Sequence, residues 1–411
     1  MSELKALSSI TSKIGSGLTP RGGNSVYTDS GISLIRSQNV LDMDFSTENL
    51  AYIDEIQAEK LNNVIVEKND ILLNITGDSI ARCTIVPEEI LPARVNQHVS
   101  IIRCKNTEQS KYVMYYLQYI KKYLLQISKV GGTRNALTKE AISKLPIKIS
   151  EDWNRISTIL DNIDRKIKIN NQINQELEAM AKTLYDYWFV QFDFPDQNGN
   201  PYKSSGGKMV YNPELKREIP EGWGVTKLNE VVDLISGYPF SSNDYVTSGK
   251  YKLYTIKNVQ DGYTVDKVDN YLDFLPSNMS HECQLRRGDL IMSLTGNVGR
   301  VGMVYEDDVL LNQRVLKLNP FNKTHKSFIY SFFRSDVTKA HLENMSTGTS
   351  QKNLSPIDIG NMMIPFPSES LLSKFLDNLN MLENNFVENQ QLTQLRDWLL
   401  PMLMNGQVKV K

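Results

Sequence analysis

The sequence predicts an α+β fold in which one mixed, strand-rich unit occurs twice and each copy is followed by a long helix. Two observations carry this prediction. A set of landmarks in the first 150 residues returns in the same order about 217 residues later. After each copy, apolar residues recur at alternating spacings of four and three, the rhythm of a helix with a heptad seam.

The repeat is read residue by residue. Gly17, Tyr27, Gly31, Asn39 and Val40 are matched by Gly237, Tyr245, Gly249, Asn258 and Val259. Asn69-Asp70-Ile71-Leu72 through Thr76-Gly77 is matched by Gly288-Asp289-Leu290-Ile291 through Thr295-Gly296. Asn96-Gln97 finds Asn312-Gln313, Gly131 and Leu137-Thr138 find Gly348 and Leu354-Ser355, and Pro146 finds Pro365. Within the first copy, short apolar runs such as Ile32–Ile35, Ile71–Ile75 and Val99–Ile102 alternate with turn signals such as Arg21-Gly22-Gly23-Asn24 and Val130-Gly131-Gly132, which reads as strands. One helix is expected from Ser110 to about Lys129, and its counterpart is FIYSFFRSDVTKAHLENM in the second copy.

The first long helix starts near Glu151 and meets no Gly or Pro before Phe194. Its seam runs Ile156, Leu160, Ile163, Ile167, Asn170, Asn174, Leu177, Ala181, Leu184 and Trp188. The two asparagines are polar seam residues of the kind that fixes register at a cost in stability. The second helix starts near Ser368 and is stopped by Gly406. Its expected seam is Leu372, Phe375, Leu379, Leu382, Phe386, Leu392, Leu395, Leu399 and Met402, with Asn389 as its polar residue. Two such helices in one chain pair most simply with each other, antiparallel, which would relate the two units by a pseudo-twofold axis. Residues 196–225, rich in Gly, Pro, Ser and Lys, read as the connecting linker. The expected boundaries are therefore 1–150, 151–195, 196–225, 226–367 and 368–411.

Composition narrows the function. A 411-residue chain with 40% hydrophobic and 23% charged residues is ordinary globular material. No apolar run reaches the length that spans a bilayer. The N-terminal MSELKALSSITSK lacks the apolar core of a signal peptide, so the expected location is cytoplasmic. Cys83, Cys104 and Cys283 are few and widely spaced, and read as buried thiols. The first unit carries a charge balance of +3 and residues 151–195 one of −3, which permits contact with DNA without establishing it.

Enzyme signatures are missing. No phosphate loop, HExxH, CxxC or nucleophile elbow occurs, and Ser204-Ser205-Gly206-Gly207-Lys208 lacks the spacing of the first. Asp196, Glu214 and Lys216 spell the acidic and basic residues of a metal-dependent nuclease, but they lie in the linker, with Pro213 before the glutamate. The segment Tyr185–Phe194 holds six aromatics in ten positions, which suits burial against a globular unit or a partner protein.

The whole chain resembles the specificity subunit of type I restriction-modification enzymes. The resemblance rests on the duplicated unit with its Gly-Asp-Leu-Ile, Leu-Thr-Gly-Asn and Asn-Gln landmarks, on LYDYWFVQFDFP at the end of the first long helix, and on LRDWLLPMLMNGQV in the second. It implies that residues 1–150 and 226–367 are target recognition domains, each reading one half of a split, asymmetric site in double-stranded DNA. It implies that the helices form an antiparallel spacer recruiting two methyltransferase (modification) subunits, joined by two restriction subunits. The chain itself would hold no cofactor, catalytic site or metal; S-adenosylmethionine, ATP and Mg would be bound by the partner subunits.

Base readers should be Arg, Asn, Gln or Lys on loops. The candidates in the first unit are Arg21, Arg36, Gln38, Arg82, Arg94, Arg134 and Asn135. Those in the second are Lys257, Asn297, Arg300, Arg314, Gln351 and Lys352. Arg134 and Lys352 stand out because each follows a Gly-containing loop before a strand-like segment. Tyr185, Tyr187, Trp188, Phe189 and Trp398 are the candidates for the partner-subunit interface. Two other classes remain open: a coiled-coil scaffold with two protein-binding modules, and a standalone nuclease.

Overall fold

The computed structural model describes residues 3–20, 22–129, 135–348 and 352–410. The chain divides into two compact units, Met1–Lys168 with Gln390–Lys411, and Ile169–Asn389. Each contains one copy of the repeat plus a segment of each long helix.

The copies share one topology. In unit 1 a sheet of Thr11–Ser16, Val99–Cys104, Ile71–Asn74 and Cys83–Ile85 packs beside a second sheet of Ala51–Ile53, Ile32–Ile35, Ala93–Val95 and Ile65–Val66. In unit 2 the same orders recur: Val232–Ser236, Val315–Pro320, Leu290–Ser293 and Val301–Met303, extended by Gly262–Tyr263, and then Tyr271–Leu272, Tyr251–Tyr254, Val309–Leu311 and Gln284–Leu285. In both, the only parallel pairing inside the second sheet is the central one, Ile32–Ile35 with Ala93–Val95 and Tyr251–Tyr254 with Val309–Leu311. The strand Ile71–Asn74 is apolar on both faces because both are covered. Ile71 and Leu73 join the core under the helices, whereas Leu72 joins the core between the sheets.

The shared landmarks hold this frame. Asn39 and Asn258 are buried and do the same work. Each accepts from a backbone N–H three residues back (Arg36, 3.1 Å; Thr255, 3.0 Å), and each donates to two carbonyls of the following loop. Gly17 and Gly237 are glycines because a Cβ would lie 1.8 Å from the Val95 carbonyl oxygen and 2.0 Å from that of Asn312. Thr138 and Ser355 cap the short helices Lys139–Ser143 and Pro356–Gly360.

The long helices are Trp153–Tyr185 and Glu369–Asn405. Gly406, at φ +84°, follows the second. Within unit 2 they run antiparallel: Asn170 donates to Asn389 (2.9 Å) and to Glu388 (2.7 Å), Asn385 donates to Asn174 (2.9 Å), and Asn389 donates to Asn171 (2.7 Å). Within unit 1, Arg396 donates to Asp164 at 2.9 Å, and Tyr115 donates to the same carboxylate at 2.5 Å. The helix segments also enter each core, Ile156 and Leu160 with Leu400 and Leu403 in unit 1, Leu177 and Ala181 with Leu372 and Phe375 in unit 2.

Four expectations change. The first long helix does not run evenly to Phe194: it widens into a π turn at Asp186–Val190, and Phe192 takes φ +67°. The helix expected from Ser110 breaks at Ile120, and its counterpart breaks at Ser335, whose hydroxyl caps the next helix. The second seam does not pass through Leu395, which is 43% exposed. It continues in unbroken heptad steps through Asn389, Thr393, Arg396, Leu400 and Leu403, and the polar residues at 393 and 396 hid it. Residues 196–225 contain a hairpin, Met209–Asn212 with Arg217–Pro220, and end inside a strand, Gly224–Lys227, paired with Met363–Phe366.

Candidate nucleic-acid interface

In unit 2 the candidates converge on one loop. The strand Leu290–Ser293 ends and the chain turns back at Arg300. The Ser293 N–H donates to the Arg300 carbonyl (3.0 Å), and the Gly299 N–H donates to the Ser293 carbonyl (2.9 Å). Gly299 sits at φ +75°, where a side chain would be strained. The loop is joined to a second segment by a bridge from Thr295 to Asn353 and by the Gly296 N–H on the Lys352 carbonyl (3.3 Å). Together they border a groove of about 520 Å³ lined by Asn297, Arg300 and Lys352 together with Gln260, Lys339 and Glu343.

Charges around this groove are mostly spent. Lys352 pairs with Glu343 and Lys339 with Asp261, both at 2.6 Å. Lys257, outside the groove, pairs with Asp269 at 2.7 Å. Burial opposes ionisation of Asp261, but Lys339 and Arg334 outweigh it and hold its carboxyl below the usual value. Arg300 differs: its contacts are neutral amides. Nη1 donates to Gln260 Oε1 (3.0 Å), and Asn297, its amide assigned with the oxygen toward the guanidinium because only that orientation gives both groups partners, accepts from Nη1 (3.3 Å) and Nη2 (3.2 Å). Arg314 is exposed with no side-chain partner among the described residues, and its carbonyl accepts from Leu294 N–H at the base of the loop (3.1 Å).

Unit 1 builds the same loop with other tips. The Asn74 N–H donates to the Arg82 carbonyl and the Ala81 N–H to the Asn74 carbonyl, both at 2.9 Å. Arg82 is therefore the counterpart of Arg300, and Ala81, at φ +66°, that of Gly299. The Ile75 N–H donates to the His98 carbonyl (3.0 Å), which puts His98 where unit 2 has Arg314. His98 Nδ1 lies 2.6 Å from Thr76 Oγ1. Arg82 is half-buried and its guanidinium has no partner among the described residues; the place of Gln260 is taken by Leu41.

Other candidates fall elsewhere. Arg94 is 7% exposed and donates to the Ala58 and Ala93 carbonyls and to Asn62. This corrects its reading as a base reader, because it is locked inside unit 1 as a structural cation. Arg36 donates to the Asn49 carbonyl (2.5 Å) and lies over the Tyr27 ring, and Gln38 reaches the same carbonyl at 3.5 Å. Asn135 is exposed. Arg21, Arg134 and Gln351 lie outside the described residues. Gln260 and His98 lie outside the sequence-based candidates; the Arg300 contact singles out the first, and the backbone bond from Ile75, equivalent to that from Leu294 to Arg314, the second.

The nuclease constellation is not assembled. Asp196 accepts from the Asn198 and Asn200 N–H groups of its own turn, both at 2.8 Å, while Glu214 and Lys216 occupy the tip of the hairpin. Among the described residues no cluster of His, Cys, Asp or Glu could hold a metal ion.

A family model described as the type I restriction modification DNA specificity domain matches residues 33–179 and 220–395. The chain belongs to this family. Among its relatives are two specificity subunits from Methanocaldococcus jannaschii, of the type I restriction enzymes MjaIX and MjaVIII. The first is 27% identical over 78% of this chain and 74% of the relative. The second is 26% identical over 85% and 81%. The crystal structure of a type I restriction-modification S subunit from M. genitalium covers 98% of this chain and 96% of its own, with a TM-score of 0.52 at 14% identity, a likeness of fold. Proteins of this family recognise DNA rather than catalyse.

In this specificity chain the aromatic candidates divide by exposure. Tyr185 and Phe189 are 6% and 3% exposed, packed with Phe328 and Phe375. That corrects their assignment to a partner surface, because core packing consumes both rings. Trp188 is half-buried against Phe375. Tyr187 and Trp398 are 38% and 57% exposed. They occupy the same place in two short matching strings, Leu184-Tyr185-Asp186-Tyr187 and Leu395-Arg396-Asp397-Trp398. No helix among the described residues is long and apolar enough to cross a membrane.

Proposed function

We propose that this chain is the DNA-reading subunit of a type I restriction-modification complex and carries no catalytic site of its own. Residues 1–150 and 226–367 act as two target recognition domains, each engaging one half of a split site. The observation that carries this reading is the pair of equivalent loops ending at Arg82 and Arg300, one per unit, on a common frame with different neighbours. Equivalent frames suit two similar stretches of duplex, and different tips suit two different half-sites. Segments 151–195 and 368–411 act as the spacer.

Tyr187 and Trp398 serve as matching docking points for two methyltransferase subunits, since exposed aromatics at repeated positions suit repeated partners. Those subunits bind S-adenosylmethionine. Restriction subunits, using ATP and Mg, join the same complex in the cytoplasm.

The purified chain, combined with the methyltransferase subunits encoded beside it, is expected to methylate adenine in duplexes bearing one split sequence and to ignore scrambled duplexes. Methylation without sequence preference would refute the reading. Cleavage by the chain alone, abolished by Asp196→Ala, would replace it with the nuclease.

A further inference from the structure

We propose that Arg300 reads a guanine in the half-site engaged by unit 2, through the side-on pair of donors on its guanidinium. The inference rests on the DNA-reading function above and goes beyond it by naming a base and the atoms that select it.

The first support is charge. The other groove cations, Lys339 and Lys352, are neutralised by Asp261 and Glu343. Arg300 forms no ion pair among the described residues and is held by two neutral amides. A cation held by amides can approach DNA without first breaking an ion pair.

The second support is the donor count. An arginine has five N–H donors in a fixed plane. Asn297 takes the end of the fork, one hydrogen from each Nη, and Gln260 takes the remaining Nη1 hydrogen. Among the described residues that leaves Nε–H and the second Nη2–H without a partner, two parallel donors on one edge. Guanine presents N7 and O6 as two adjacent acceptors on its major-groove edge.

The third support is rigidity. The Ser293 hydroxyl donates to the Asn297 carbonyl (2.5 Å) and accepts from the Arg300 N–H (3.2 Å), which closes the loop on itself. A phosphate contact needs only a mobile charge, whereas base readout needs a donor pair held in place. Arg82 supplies the contrast: the same backbone position, with no partner for its guanidinium among the described residues and with Leu41 in place of Gln260.

The test uses the complete complex with its methyltransferase subunits on a randomised split-site library, followed by sequencing of methylated products. The half-site belonging to unit 2 is the one that changes when residues 226–367 are exchanged for a relative's. The parent complex should require guanine at one position of that half-site. Arg300→Ala should lose that preference, on the order of 10- to 100-fold, and leave the other half-site intact. Arg300→Lys keeps the charge but not the parallel donors, and should lose it as well. Arg82→Ala should leave that position unchanged.

Retention of the guanine preference in Arg300→Ala, or a uniform weakening across all sequences with a shallower salt dependence in that variant, would make Arg300 a phosphate contact and overturn the inference alone. So would a unit 2 half-site without guanine. A parent complex with no sequence preference would remove the recognition reading, and this inference with it.

Discussion

The two units solve one folding problem twice and finish it differently. Their buried landmarks are interchangeable: Asn39 and Asn258 bind the same backbone groups, and Gly17 and Gly237 admit the same carbonyls. Their loop tips are not. Unit 1 offers an Arg82 whose guanidinium has no partner among the described residues, and unit 2 offers an amide-held Arg300 beside an exposed Arg314. Burial constrains one set because a wrong residue leaves polar groups unpaired or collides with backbone. The exposed tips carry no such penalty and can differ with the DNA each unit meets.

The sharpest way to break this comparison is exchange. Replacing residues 226–367 with those of a relative should move one half-site and leave the other, with methylation of the old site falling by at least about 10³-fold, the lower end of the gap between specific and non-specific binding. Mapping methylated adenines reads this directly. Movement of both half-sites would mean that the units do not read independently.

A smaller effect probes the frame. Asp70 is fully buried and accepts two bonds from Arg103, both at 2.8 Å, plus one from the Glu67 N–H. Its counterpart Asp289 has a side chain 19% exposed and pairs with Lys317 at 3.0 Å. Breaking the more buried pair leaves a charge stranded in low dielectric. Asp70→Ala should cost about 3–5 kcal/mol and Asp289→Ala about 1–3 kcal/mol by denaturant unfolding. Equal losses would show that the two frames are not graded by burial as described.

The long helices sharpen the comparison next. Unit 2 holds its helix segments with an asparagine layer, unit 1 with Asp164, Arg396 and Tyr115. Asn170→Ala removes the amide that donates to Asn389 and to Glu388 and should cost about 1–3 kcal/mol. Asn170→Leu combined with Asn389→Leu removes both partners, and should cost less than the sum of the single changes. Strict additivity would show that the layer is not a coupled unit.

How much of this was legible follows from where the signal lies. Glycines and asparagines with backbone duties recur at fixed order, so the duplication could be read directly. The first helix seam could be read because its inward positions are apolar apart from Asn170 and Asn174. The second is obscured beyond Asn389 because the half-buried Thr393 and Arg396 are polar, and apolarity selects the exposed Leu395 instead. Arg94 was misjudged for a related reason. Nothing in Ala93-Arg94-Val95 says that three neighbouring residues will take up its guanidinium. The hairpin at 209–220 was hidden by Pro213, which sits in its turn rather than ending the structure. Gln260 carries meaning only beside Arg300, a contact made by residues 40 positions apart.

The smallest expected effect concerns a carboxylate at matching places in the two units. Asp42 in unit 1 takes a neutral Gln118 amide (3.1 Å) and Lys121 (2.5 Å), whereas Asp261 takes Arg334 (2.9 Å) and Lys339 (2.6 Å). Burial raises the Asp261 carboxyl, but Lys339 and Arg334 bring it below its ordinary value of 3.8. A carboxyl whose folded value is depressed favours the folded state above the unfolded value, and that contribution disappears as pH falls through the folded one. Because the Asp261 side chain is 43% exposed, solvent screens the pair, and the contribution should stay under about 1 kcal/mol. Asp261→Asn should therefore unfold slightly more easily than the parent at pH 7, with the difference closing below about pH 4 in urea titrations. A difference that instead grew as pH fell would show that burial, not the two cations, controls this carboxylate, and the contrast with the Gln118 arrangement in unit 1 would lose its basis.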